Sequence, residues 1–310
     1  MSAEGSKRAI IAALLANAGI AAAKFAGFLI TGSSSMAAEA VHSVADTSNQ
    51  GLLLLGQNRA AKKANRLHPF GYGRSRYFYS FVVALVLFTL GSMFAIYEGI
   101  EKIRHAHDHG LESPIVAVVI LVVAICLESY SFRTAYKESK PLKGDATWWQ
   151  FIRNARTPEL PVVLLEDTGA LIGLVLALGG VGLTMITDDA IWDGVGTLSI
   201  GVLLGIIAVV LIVEMHSLLI GEGATDTEER TLLTELAATD GVDRVIHMKT
   251  QYLGPDEMLV AAKIAISPGS DIGKIADTID AAELRVRTSL PQARLIYLEP
   301  DIDKGGDDRS

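Results

Sequence analysis

Two short stretches place ionisable side chains inside otherwise apolar sequence. In AAEAVHSVADTSNQ, residues 37–50, Glu39, His42 and Asp46 stand three and four apart, so on a helix they line one stripe. In VVLLEDTGALIG, residues 162–173, Glu166 and Asp167 are adjacent. Neighbours on a helix point about 100° apart, so only one of the two acids can aim squarely at a facing helix. An imidazole and carboxylates from two helices make a mixed nitrogen and oxygen set. Such a set suits a divalent transition ion, zinc taking four ligands at about 2.0–2.2 Å. A hydrogen-bonded network that pins the helices together would use the same residue types, and spacing alone leaves both readings open.

These residues need a scaffold, and the hydropathy pattern supplies one. The chain has 310 residues, half of them hydrophobic, and the apolar runs fill the first two-thirds. A bilayer core takes roughly 20 apolar residues per helix. By that ruler six spans are expected, at about 9–31, 36–57, 77–100, 114–136, 160–186 and 190–214. The first run exceeds the ~7–15 residues of a signal-peptide core and reads as a span. An ionisable group inside a span costs about 2.5–3.5 kcal/mol on insertion scales, so it faces the bundle interior and finds a partner. Asn17, Lys24 and Glu128 are further polar residues inside spans; Lys24 can snorkel and Glu128 could pair helices or relay protons.

Orientation follows from the basic residues. Arg59, Lys62, Lys63, Arg66, Arg74 and Arg76 lie between spans two and three, and Lys137, Lys140, Lys143, Arg153 and Arg156 between four and five. Both termini are therefore expected in the cytoplasm. The formal charge of −8 speaks against nucleic acid as a partner. The single cysteine, Cys126, excludes a disulfide framework and reads as a packing residue. No enzymatic activity and no resident cofactor are expected.

After about Gly221 the sequence turns to soluble character. TDTEERTLLTELAA reads as a capped helix, VDRVIHMKTQYLG and EMLVAAKIAIS as strands, DIGKIADTIDAAELRVRTSL as an amphipathic helix and ARLIYLEP as a last strand. The fold class expected is a six-helix transmembrane bundle (1–220) followed by a cytoplasmic αββαβ, ferredoxin-like α+β domain (221–303). The tail 304–310 is expected to be frayed.

HSVAD in the second span and LLEDTGALIG in the fifth resemble the cation diffusion facilitators. The likeness extends along nearly the whole chain, and the LLEDT run is similar to the branch holding the ninth mammalian zinc transporter. The resemblance implies a secondary transporter exporting zinc or a related divalent ion, in exchange for protons, as a homodimer paired through its soluble tails. It implies His42, Asp46 and Asp167 as ligands. The family pattern wants a histidine or aspartate four residues before Asp167, where this chain has Val163, so Glu166, Glu39 or a water is expected to complete the shell, Glu166 first. Replacing an imidazole by a carboxylate makes the site harder, which keeps manganese, iron and cobalt open. A transport-inactive scaffold acting through its tail is the competing reading. A bacterial plasma membrane is the expected host.

Other histidines fit the resemblance less well. LHPFGYG holds one histidine, His68, with Tyr72 where relatives carry a second. The tail positions that bridge metals in relatives are Ile246, Ala262 and Tyr297, with His247 and Glu299 nearby, so no tail metal is expected. His105, His107 and His109 sit in an outer loop and read as solvated, with weak external ion release or capture as the alternative. Gly-rich faces in spans five and six are expected to let those two helices approach closely.

Overall fold

The computed structural model describes residues 2–31, 34–105 and 114–302; within these, the side chains of residues 2–5, Phe28, 30–31, 34–42, Ala45 and Pro114 lie outside the described set. Two compact units emerge, one formed by Met1–Arg59 with Arg76–His216, the other by Ala60–Ser75 with Ser217–Ser310.

The first unit is helical. Helices α1 (Ser2–Thr31) and α2 (Ser34–Ala60) are followed by α3 (Ser75–Val86), which runs through a π-helical segment (Leu87–Met93) into α4 (Phe94–Arg104). Then come α5 (Pro114–Lys143), a short α6 (Trp148–Asn154), α7 (Glu159–Thr187) and α8 (Ile191–Ile220). Among the described residues five helices are long and apolar enough to cross a membrane: Ser6–Gly27, Ser75–Arg104, Ile115–Lys143, Glu159–Thr187 and Ile191–Ile220. The expected second span falls within α2. That helix has the length, at 27 residues, but Asp46, Thr47, Ser48, Asn49 and Gln50 make its middle polar. A helix carrying a polar stripe loses the compositional signature of a span while keeping its geometry.

Helix α6 was not expected. Thr147 and Gln150 close a reciprocal capping box around its first turn, and Trp148 packs against a tilted Tyr136 at 4.9 Å and edge to face with Phe151 at 6.1 Å. The glycine seams divide between two neighbours. Gly180 and Gly196 bring α7 against α8, where a Cβ on Gly180 would meet the Trp192 carbonyl oxygen at 2.9 Å. Gly201 turns instead to α4, a Cβ there falling 2.7 Å from the Ile96 nitrogen, and Ser92 Oγ donates to the Gly201 carbonyl at 2.8 Å. Cys126 lies exposed on α5 rather than packed inside.

Arg76, one of the basic residues that set the orientation, is buried. It opens α3 and donates through Nε and a terminal nitrogen to Glu159, in the first turn of α7, at 2.5 and 2.8 Å. Both partners are shut away from solvent, so the two charges are each other's chief compensation.

The second unit has the order α9 (Asp226–Ala237), β1 (Val242–Gly254), β2 (Glu257–Ile266), α10 (Ile272–Ser289), β3 (Ala293–Asp301). The sheet order is β1-β2-β3, antiparallel between β1 and β2 and parallel between β2 and β3, so α10 is the crossover that parallel pairing requires. Leu232 and Leu236 of α9 and Ala282 and Val286 of α10 close over Tyr252, Met258, Val260 and Ile296 of the sheet. Thr225 and Glu228 form the capping box of α9, and Glu228 also accepts from Tyr252 at 2.6 Å and Gln292 at 2.9 Å. Burial pushes the Glu228 carboxyl up, but the hydrogen bonds from Tyr252, Thr225 and Gln292 outweigh it and hold it below the usual carboxylate range.

The segment 60–75 belongs to this second unit. Asn65 and Tyr72 share a 2.8 Å hydrogen bond, His68 stacks on Tyr72 at 4.5 Å, and Gly73 abuts Leu253 and Gly254 so closely that a Cβ would lie 2.7 Å from the Leu253 carbonyl oxygen.

Candidate functional site

Three helices contribute polar residues at helical spacing. On α2, Asn49 and Gln50 follow Asp46 by three and four residues and so share its stripe. On α5, Ser131 follows Glu128 by three. On α7 the acids are adjacent, and the structure shows how the 100° between them is used. Glu166 turns to α2: Asn49 Nδ2 donates to its Oε1 at 3.2 Å and Gln50 Nε2 to its Oε2 at 2.8 Å. Asp167 turns to α5, accepting from Ser131 Oγ at 2.6 Å.

All of these groups except Asp46 are buried, with Glu128 at 5%, Glu166 at 7% and Asp167 at 2% exposure; Asp46 is half-buried. Four acids thus share a water-poor space and repel one another. Asp46 acts on Glu166 and Glu128, and Glu128 and Glu166 both act on Asp167. Lys24 of α1, half-buried, attracts Glu128, a part that snorkelling alone would not give it. The amides hold one more feature: Asn49 Oδ1 and Gln50 Oε1 are buried and accept no hydrogen bond from any described residue. A buried carbonyl oxygen without a donor costs about 1–3 kcal/mol, so two in one turn mark a place arranged for something besides packing.

Of the expected ligands, the structure describes Asp46, Glu166 and Asp167. Glu39 and His42 belong to α2 by their backbone, but their side chains lie outside the described residues. Among the described residues no three His, Cys, Asp or Glu side chains stand close enough to hold one ion together. Val163 is fully buried, four residues before Asp167. Asn49, Gln50 and Ser131 were missed by sequence reasoning. Their signal was present in the register, one helical turn from Asp46 and Glu128, but neutral side chains draw no notice among acids.

The histidines elsewhere are engaged otherwise. His105 Nδ1 lies 3.2 Å from Glu101 Oε2, while His107 and His109 lie outside the described residues. In the sheet His247, Lys263 and Glu299 form one row across three strands, and the lysine sits between the other two. Lys263 Nζ pairs with Glu299 and Asp301, at 3.1 Å each, and these two acids raise its affinity for its proton.

Comparison with known proteins adds independent weight. The family described as the cation efflux transmembrane domain matches residues 10–220. A mouse protein named proton-coupled zinc antiporter SLC30A9, mitochondrial, is 34% identical over 245 residues, covering 78% of this chain. Metal tolerance protein C4 of Arabidopsis thaliana is 30% identical over 264 residues, covering 84% of this chain. The chain spans only 42% and 57% of those two relatives' lengths. Among solved structures, the nickel form of a MamM C-terminal domain variant is 14% identical, covering 26% of this chain and 100% of that one. Its TM-score is 0.25, too low to carry weight.

Proposed function

Since the chain belongs to the cation efflux family, we propose that it is a secondary transporter exporting a divalent transition-metal cation, zinc before manganese, iron or cobalt, in exchange for protons. The observation that carries this reading is the polar layer of buried Glu128, Glu166 and Asp167 beside half-buried Asp46, with neutral donors on Glu166 and Asp167. In lipid such a layer is costly and belongs to an ion path. The relative named as a proton-coupled zinc antiporter supports the choice of cargo and counter-ion.

His42, Asp46 and Asp167 are the proposed ligands, with Glu166 or Glu39 completing the shell. Ligands must be deprotonated to bind a metal, so loading the cation expels protons and reprotonation expels the cation. An ordinary imidazole changes charge near pH 6.5, which suits His42 to that exchange. Coupled to alternating access, this is antiport. Ser131 holds Asp167 in place as the partner behind a metal-binding carboxylate does. The basic segments around Arg59–Arg66 and Lys137–Arg156 support cytoplasmic termini. The proposed setting is a bacterial plasma membrane, with a homodimer paired through the soluble unit.

Proteoliposomes with an imposed pH gradient test the reading. Zinc flux is expected to saturate, to follow the gradient and to fall roughly 100-fold or more in Asp46→Ala. Flux of every divalent ion indifferent to the gradient would reject proton coupling. The scaffold reading, favoured by Val163 in a ligand position, predicts no saturable flux and no effect of Asp167→Ala.

A further inference from the structure

The transport reading, on which this inference rests, leaves open what replaces the ligand that Val163 cannot supply. We propose that Glu166 is that ligand and that Asn49 and Gln50 are the positioning residues that aim it.

The geometry resembles the support behind a metal-binding carboxylate. A carboxylate offers about four lone-pair sites, two on each oxygen. Asn49 uses one on Oε1 and Gln50 one on Oε2, so each oxygen keeps one for a cation. Both donors come from α2, a single turn beyond Asp46, and so they draw Glu166 towards the stripe that carries Asp46 and His42.

The neutrality of the clamp matters as much as its position. Seven residues earlier on the same helix, Glu159 is also held through both oxygens, but by the guanidinium of Arg76. That pair cancels its own charge and has little left for a divalent ion. Two carboxamides orient Glu166 without neutralising it. Amides in place of a basic residue are what a cation-binding acid requires.

A thermodynamic cycle on the purified full-length protein tests this, with zinc as the probe and calorimetry as the readout. In the parent background, Asn49→Ala combined with Gln50→Ala is expected to weaken zinc binding about 10- to 100-fold. In a Glu166→Ala background the same pair is expected to change affinity less than about twofold, because nothing remains to aim. Glu166→Gln keeps the volume and a hydrogen-bond acceptor; it is expected to unfold at the parent's temperature while binding as weakly as Glu166→Ala. Equal losses in both backgrounds, or parental affinity in Glu166→Gln, overturn the inference while leaving transport intact. A parent protein that neither binds nor carries any divalent ion overturns the transport reading and this inference with it.

Discussion

The two units bury polar groups on opposite principles. Among the described residues, Glu128, Glu159, Glu166 and Asp167 are buried in the helical unit, whereas the soluble unit buries only Thr239 and Thr278 among its polar side chains. Glu228, the best-connected acid of the soluble unit, stays half-buried, ties down a helix start and keeps contact with water. In the helical unit Glu159, Glu166 and Asp167 each take side-chain hydrogen bonds from another helix, while Glu128 is attracted by Lys24. Those partners divide by charge. Glu159 has an arginine and is finished; Glu166 and Asp167 have neutral donors and keep their capacity for a cation. A buried acid alone therefore says little, and the charge of whatever holds it separates architecture from ion handling.

Breaking the cationic partnership is expected to have the largest effect on stability. Arg76→Ala leaves Glu159 buried and uncompensated, at about 3–5 kcal/mol. Thermal unfolding in detergent reads this, and adding Glu159→Leu to the same chain is expected to recover most of the loss. A stability unchanged in Arg76→Ala would remove the distinction between the two kinds of clamp.

The neutral partnership is expected to show mainly in binding. Ser131→Ala removes the 2.6 Å hydrogen bond to Asp167 and is expected to weaken zinc affinity about tenfold, with a stability loss of about 1–3 kcal/mol, smaller than that of Arg76→Ala. A large stability loss with unaltered affinity would move Ser131 to the architectural side.

The smallest effect belongs to the soluble unit. Glu228→Gln disturbs the capping box of α9 and is expected to cost about 1 kcal/mol near pH 7. Because the folded carboxyl sits below its ordinary range, its stabilisation is present above the unfolded value of about 4.3 and fades as pH falls through the folded one. Melting curves of parent and variant are therefore expected to converge in acid, while zinc affinity at pH 7 stays that of the parent.

Much of this was legible in the chain. The helix–strand–strand–helix–strand order followed from two amphipathic stretches and three alternating ones, because periods of 3.6 and 2 are local properties. The apolar spans followed from composition, and the stripe of Glu39, His42 and Asp46 from spacing. The second span was the hard one: the same polar residues that point to function dilute the hydropathy that marks a span. Helix α6 also escaped, since its capping box lies among loop-like residues.

What the sequence determined by itself was the inventory: which helices carry acids, at what register, and that a neutral pair, Asn49 and Gln50, follows Asp46 by one turn. Packing decided the allotment. The facing of α7 turned Glu166 rather than Asp167 to α2, and the joining of α3 to α7 made Arg76 a buried partner instead of a loop charge. Side-chain direction along one helix is set by its own period, but which neighbour lies in that direction depends on contacts between residues 36 to 117 positions apart.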